Sequence, residues 1–342
     1  MGYREDIAEV SAEKLPWDYL SGKNILVTGA SGMIGSCLVD TLMARPEIDF
    51  HIYASGRNQE RLKKKFSRYE GSEYFHTLNY DVTEPLNCGI DFHVVFAGAS
   101  VASPQLYSTD PVGVMKSNIM GVDNLLSYGV KHNLERFLYI SSGEVYGEGD
   151  GSEFDEGYSG YVNNMSVRSC YPSSKCAAET LCVSYSHQYG VDVRVARPCH
   201  VYGPSFTEKD IRVYAQFIRN VLNDENIVLK SSGEQFRSWC YVVDCVRAML
   251  YILMNGKNGE AYNIADEGSN ISIRELADMV ASIGGKKVVF EIPDEIERKG
   301  YNVVMKSIFS TKKLKALGWS VSGKMVEKMK STIEECRRIK EL

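Results

Sequence analysis

The sequence predicts an α/β protein, a doubly wound parallel sheet followed by a smaller C-terminal α/β lobe. Three observations carry this. Short apolar runs alternate with longer helical patterns through the first half of the 342 residues. A glycine-rich turn directly follows the first apolar run, and after Pro198 the alternation gives way to loops rich in Gly, Pro and Arg mixed with single helices. Strand–helix–strand alternation implies a parallel sheet buried on both faces. Right-handed crossovers then put helices on both sides and ligands at the carboxyl ends of the strands.

The elements follow in order. Asn24-Ile25-Leu26-Val27-Thr28 reads as a buried strand, with a helix from about Met33. Phe50 to Ala54 is a second strand and the charged stretch Asn58 to Tyr69 a surface helix. Phe92 to Phe96 and Arg136 to Ile140 are further strands, separated by a helix over Pro111 to His132. A long helix from about Ser169 leads to the strand Asp192 to Ala196. Residues 1–197 thus form the first domain and residues 198–342 the second lobe, with helices at Ile211 to Leu222 and Ile273 to Ile283. The segment 238–266 is expected to return to the first domain, and Lys324 to Leu342 to form a charged amphipathic helix.

Composition narrows the function classes. Hydrophobic content of 44% and charged content of 24% are ordinary for a globular protein. A net charge of −5 gives no reason to expect nucleic acid or an anionic membrane as partner. Nine cysteines form no CxxC pair, so neither a zinc site nor a disulfide framework is suggested, and buried thiols are expected. The polar, acidic stretch Met1 to Leu20 does not read as a signal peptide, and Met1-Gly2 is followed at position six by Asp6 rather than the Ser or Thr of a myristoylation site. No apolar run approaches the ~20 residues that span a bilayer. A cytoplasmic location is expected.

Thr28-Gly29-Ala30-Ser31-Gly32-Met33-Ile34-Gly35 joins the first strand to the first helix. Glycines there permit a tight turn and close backbone approach to a pyrophosphate, and the helix N-terminus supplies N–H groups with partial positive charge. This is the arrangement of a Rossmann dinucleotide site, so Gly29, Ser31, Gly32, Met33, Ile34 and Gly35 are candidate cofactor residues. At the end of the second strand, Ser55-Gly56-Arg57-Asn58 carries no acid for a ribose 2′-hydroxyl. It offers Arg57 instead, which leans toward tolerating a 2′-phosphate. The cofactor is expected to be NAD or NADP.

Tyr171-Pro172-Ser173-Ser174-Lys175 places a phenol and an ammonium at i and i+4, on one face of one helical turn. An ammonium and a nicotinamide cation both favour the phenolate, whose unperturbed pKa is about 10. The spacing alone is weak evidence in a chain with 21 tyrosines, and Tyr19 and Lys23 repeat it. Its placement gives it weight, because it lies beyond a second segment, Ser141-Ser142-Gly143-Glu144-Val145-Tyr146-Gly147. That segment leaves the Arg136 to Ile140 strand at the sheet's carboxyl edge. Ser142 there is positioned to bond the oxygen that Tyr171 deprotonates. Ser142, Glu144, Tyr171 and Lys175 are the candidate catalytic residues, with Tyr171 and Lys175 also touching the cofactor.

On these motifs the chain resembles the extended short-chain dehydrogenase/reductases, the NAD-dependent epimerase/dehydratase family of sugar-nucleotide enzymes, from about Lys23 to Trp319. The resemblance implies that Asp81 and Val82 contact adenine, that Phe96 to Ser100, including Ala97, Gly98 and Ala99, lies beneath the nicotinamide, and that Asn118 is the family's helix asparagine. It implies a tightly bound, recycled dinucleotide, a nucleotide-diphosphate sugar as substrate, and a homodimer formed through the helices near Pro111 to His132 and Ser169 to Tyr189. Within the family the likeness is greatest to UDP-glucuronate decarboxylases. Ala102-Ser103-Pro104-Gln105-Leu106-Tyr107 resembles their segment ahead of Asn118, and Arg168 stands three residues before Tyr171. Asp210-Ile211-Arg212-Val213 and Arg237 complete the likeness. Ser103, Tyr107, Arg168, His200, Arg212 and Arg237 are the candidate substrate residues.

The chain also departs from the family. His200 stands where Asn is common, Gly143 where Ser or Asp is usual, and Pro-Ser-Ser follows Tyr171 in place of Asp-Glu-Gly. Gly143 argues against a 4,6-dehydratase, which typically pairs Asp with Glu at this turn. Three readings stand at this point: a decarboxylase, a 4-epimerase or 4,6-dehydratase, and a non-catalytic dinucleotide-binding sensor on the same fold.

Overall fold

A computed structural model describes residues 2–45, 47–207, 210–291 and 306–340. The chain opens with α1 (Tyr3–Ser11), then β1 (Asn24–Thr28), α2 (Met33–Met43), β2 (His51–Gly56), α3 (Gln59–Lys65), β3 (Phe75–Asn79) and β4 (Val94–Ala97). It continues through α4 (Pro104–Thr109), α5 (Pro111–Lys131), β5 (Arg136–Ile140), α6 (Cys170–Tyr189) and β6 (Asp192–Pro198). The remainder is β7 (His200–Tyr202), α7 (Val213–Leu222), β8 (Ile227–Leu229), β9 (Phe236–Tyr241), α8 (Val242–Asn255), β10 (Glu260–Ile264) and β11 (Asp266–Ser272). It closes with α9 (Ile273–Gly284), β12 (Val288–Phe290), β13 (Lys306–Ser307), α10 (Lys312–Lys315) and α11 (Met325–Lys340). Of the expected C-terminal helix, Glu341 and Leu342 lie outside the described residues, as does Met1 at the other end.

Seven strands form one sheet in the order β10-β6-β5-β4-β1-β2-β3, every pair parallel. Alternate residues of each strand point to opposite faces. Ile25, Val27, Val94, Phe96, Leu138 and Ile140 pack under α2 and α8, while Leu26, Val95, Phe137 and Tyr139 pack under α5 and α6. Both faces are therefore apolar, which is why these strands read as continuous hydrophobic runs. The order reverses beside β1, so the carboxyl ends of β1 and β4 open a crevice.

A second sheet carries β11, β9 and β13 in that order, with β7 also paired to β9, and β12 pairs with β8. Within the segment 238–266, β9 belongs to this small sheet, α8 covers the large one, and β10 is the large sheet's edge strand. The short helices α1, α4 and α10, the edge strand β3 and the short strands β7, β8, β11, β12 and β13 are additions to the expected elements. No described helix is long and apolar enough to cross a membrane.

α1 is held by a charge pair rather than by apolar contact alone. Lys328 Nζ on α11 donates to Asp6 Oδ1 at 2.7 Å, and Tyr241 OH donates to Asp6 Oδ2 at 3.0 Å, all three groups being buried. Removing one partner of a buried pair leaves the other uncompensated. Lys328→Met is expected to cost about 3–5 kcal/mol, read as a lower urea midpoint, whereas Asp6→Asn with Lys328→Met recovers much of the loss.

Candidate active site

The glycine turn leaves β1 and enters α2, with Gly32 as the residue before its first turn. Gly29 sits at φ +67°, and a Cβ on it would fall 2.6 Å from the Gly98 carbonyl oxygen, so two loops meet here at backbone distance. Thr28 Oγ1 fastens them by accepting from the N–H groups of Gly98 and Ala99, each at 3.1 Å. Met33 contributes backbone only, since its side chain is buried and accepts from Tyr214 OH at 3.4 Å. Ser31 presents its carbonyl to Arg61 Nη2 at 3.4 Å, a neighbour that α3 supplies.

The expected cofactor residues beyond the turn lie around the same crevice. Arg57 is exposed and 4.0 Å from Asp81, whose other oxygen accepts from the backbone and hydroxyl of Thr83. Val82 is packed into the core beneath α5, where a Cβ on Gly121 would lie 3.0 Å from it, so its side chain belongs to packing. Asn118, inside α5, donates through Nδ2 to Ser174 Oγ at 2.9 Å.

Two polar atoms at this crevice are buried without a partner among the described residues: Ser55 Oγ and Asn118 Oδ1. Buried polar groups are ordinarily bonded. Their placement, Ser55 at the end of β2 and Asn118 inside α5, fits a dinucleotide whose polar groups would complete them. The free first-turn N–H groups of α2 fit its pyrophosphate.

Beside the crevice stands the tyrosine. Tyr171 is the second residue of α6, which puts its ring over the β5 loop, and it is 6% exposed. It stacks on Tyr107 of α4 with centroids 4.8 Å apart and planes at 20°. Burial, and then the charge of Glu144, push its phenol up to about 12, with Ser142, Ser100 and Arg212 acting the other way. Lys175, one turn along, is 1% exposed and donates to the Ile140 carbonyl at 2.9 Å; burial pushes its ammonium down to about 7. Its Nζ lies 5.8 Å from the Tyr171 ring centre.

Ser142, two residues beyond β5, accepts from the Glu144 N–H at 3.2 Å, starting a 3-10 turn over Gly143–Tyr146. The turn is braced from behind. Ser141 Oγ donates to Glu179, Arg197 clamps Glu179 and Tyr146 OH, and Tyr146 OH donates to Asn263. Glu144 itself faces outward. Its two oxygens accept from Arg168 Nη2, each at 2.8 Å, and the Arg168 guanidinium lies 4.8 Å from the Tyr107 ring centre. Arg168 is thus already paired, over the ring that stacks on Tyr171.

The second lobe adds a cationic wall. His200 on β7 is in register with Trp239 on β9, and the rings are 5.3 Å apart. His200 is open to solvent but enclosed by protein, as a cleft wall is; burial and then the charge of Arg237 push its imidazole down to about 4. Arg237 is buried and donates to the Phe236 carbonyl at 2.9 Å, its guanidinium lowered by burial. Arg212 is gripped by Asp210 at 2.5 Å and also reaches Tyr214 OH at 3.0 Å. Its charge is felt at Tyr171, Tyr107 and His200. Ser103 precedes α4 and makes no capping bond with its side chain. The Glu179–Arg197 brace carried no motif of its own in the sequence.

A glycine cradle at the switch point of a parallel sheet, with a buried Tyr–Lys pair and a serine beside it, defines a dinucleotide-dependent enzyme of the tyrosine–lysine type. The chain belongs to the NAD dependent epimerase/dehydratase family, whose model matches residues 25–265. It is 34% identical over 326 residues, 93% of this chain and 90% of the other, to UDP-glucuronic acid decarboxylase 6 of Arabidopsis thaliana. The fold matches UDP-glucose 4-epimerase of Thermotoga maritima with a TM-score of 0.77 at 27% identity, covering 92% of this chain and 99% of that one. It also matches UDP-glucuronic acid 4-epimerase of Bacillus cereus with a TM-score of 0.76 at 23% identity, a likeness of fold, over 92% and 99% of the two chains.

The buried lysine gives a stability signature with a definite sign. Its ammonium titrates at about 7 when folded against an ordinary 10.5, so between those values the unfolded chain binds the extra proton and stability rises with pH. Urea unfolding of the cofactor-free protein at pH 7 and pH 9 is expected to show this gain in wild type relative to Lys175→Met. Parallel behaviour of the two proteins would remove the claim that the lysine is desolvated.

Proposed function

We propose that the protein decarboxylates a UDP-linked sugar acid, UDP-glucuronate being the best match, through a transient 4-ketone on the sugar. The observation that carries this is Arg168, a guanidinium over the Tyr107 ring that stacks on Tyr171, with Glu144 as its one anionic partner among the described residues. A sugar carboxylate is the natural competitor for that fork. The relationship to UDP-glucuronic acid decarboxylases over most of the chain supports the same substrate.

In this reading a dinucleotide held by the Gly29–Gly35 turn would accept the hydride from C4 and later return it. Tyr171, as phenolate, takes the proton of the C4 hydroxyl while Ser142 bonds its oxygen, and hydride leaves C4 to give the ketone. Lys175 stabilises the phenolate by its charge. Arg168 holds the carboxylate at C5; the C5–carboxyl bond then breaks, its electrons pass into the ketone as an enolate, and CO2 departs. Glu144, displaced from Arg168, brings the solvent proton that C5 takes up. Tyr171 gives its proton back to the C4 oxygen as the ketone is reduced, leaving the UDP-pentose. Arg212, Arg237 and the neutral His200 face the diphosphate and sugar.

NAD is the cofactor we infer, and the acid-free end of β2 with Arg57 and Arg61 nearby supports tolerance of a 2′-phosphate as well. Outward apolar residues of α5 and α6, among them Val112, Val183 and Tyr189, support a homodimer through these helices. A 4-epimerase acting on a neutral hexose would leave Arg168 with no ligand of opposite charge except Glu144.

Purified protein with NAD is expected to release CO2 from UDP-glucuronate without net NADH, and to leave UDP-glucose at its original mass. Arg168→Ala should lower kcat/KM for UDP-glucuronate about 100-fold, the loss of a charge-assisted bond of about 2–3 kcal/mol. Absence of CO2 from cofactor-loaded wild type, with isomerisation of UDP-glucose in its place, would transfer the assignment to the epimerases.

A further inference from the structure

Gly143 separates Ser142 from Glu144, and what excludes a side chain there is a ring from the far end of the chain. A Cβ on Gly143 would lie 2.2 Å from Cζ and 2.4 Å from Cε1 of Phe309. Carbon atoms rest at about 3.5–4.0 Å, so even a methyl group is excluded while the ring keeps its place. The requirement is steric and not torsional, because Gly143 is not among the glycines of positive φ.

The ring has little room to yield. Phe309 is 2% exposed and packs edge-on against Tyr146 and Phe154, with centroids 5.7 and 5.5 Å away. Its backbone is fixed on both sides, since the Ile308 carbonyl accepts from Phe154 N–H and Ser310 N–H donates to the Phe154 carbonyl, both at 2.8 Å. Phe309 N–H itself donates to Ser238 Oγ at 3.1 Å, and Ser238 Oγ donates to Asn270 at 2.6 Å. Ser238 lies in β9 between Arg237 and Trp239.

One residue therefore touches both halves of the cleft. Its main chain is tied to the strand that carries Arg237, and its ring bears on the turn that carries Ser142 and Glu144. We propose that Phe309 is a positioning residue that sets the distance between the acid–base turn and the cationic strand. Gly143 is the complement that lets the turn close on the ring. The ring also keeps any polar side chain out of position 143, so that Glu144 is the only carboxylate this turn presents. The proposal rests on the reading above that Ser142 and Glu144 face the reacting sugar.

A size-exchange cycle tests it with Gly143→Ala, Phe309→Leu and the double variant. Leu lacks the Cζ and Cε1 atoms that meet the new methyl. The readout is the first reduction of nicotinamide after mixing with UDP-glucuronate, or with UDP-glucose if only that sugar is oxidised; UDP affinity is measured by calorimetry. Gly143→Ala is expected to slow reduction about 100-fold, the effect of a displacement of about 1 Å, with UDP affinity held within about twofold. The double variant should return to within about threefold of Phe309→Leu, since the two sites are in contact and their effects do not add. A Gly143→Ala protein at wild-type rate, a double variant as slow as Gly143→Ala, or UDP affinity falling in step with the rate would each overturn the proposal. Wild type that reduces nicotinamide but releases no CO2 would defeat the decarboxylase reading alone, and the cycle would still be decided on the reduction step.

Discussion

Lys175 is buried at the carboxyl edge of the central sheet, with its ammonium donating to the Ile140 carbonyl, and the rest of the cleft depends on that placement. A lysine out of water resists its own charge. Here it sits beneath a phenol that is also buried and also resists charge. Each group disfavours ionisation alone, but a phenolate beside an ammonium relieves both, and a nicotinamide cation would add to the relief. The pair is thus poised to move a proton only when the crevice is filled. Tight burial is possible because α6 begins immediately beside β5, and because Tyr107 covers the open face of the Tyr171 ring.

Around this pair the elements divide the work. The large sheet supplies the cradle for a dinucleotide, with loops from β1 and β4 locked together by Thr28. The small sheet supplies a wall of Arg237, the neutral His200 and, by way of the loop before α7, Arg212. Between them lies the turn of Ser142 and Glu144, braced from behind by Glu179 and Arg197 and from the side by Phe309. Arg168 and Glu144 neutralise one another at the entrance.

The central strands, the glycine turn and the order of motifs were legible in the sequence because each follows from a local rule: a doubly buried strand is uniformly apolar, and a phosphate turn needs glycine. β3 escaped because Phe75 to Leu78 are all half-buried, and an edge strand with aromatic neighbours shows no alternation. α1 escaped because one of its acidic residues, Asp6, is buried against Lys328, so polarity there does not mark the solvent face. β2 runs to Gly56 rather than Ala54 because Ser55 pairs with Thr28 and Gly56 with Asn79. In the site, residue types were readable but pairings were not. Arg168, a candidate substrate residue, is held by Glu144, and the Val82 side chain packs beneath α5. Gly143 looked like a departure without a cause, and its cause is a phenylalanine that only tertiary structure brings near.

The central claim is that Tyr171 becomes an anion when a nicotinamide cation occupies the crevice. Ultraviolet difference titration of wild type against Tyr171→Phe reads that phenol directly. The account predicts one tyrosine titrating near 12 without cofactor and shifting to lower pH when NAD is bound. A difference spectrum that does not move on NAD binding would contradict it.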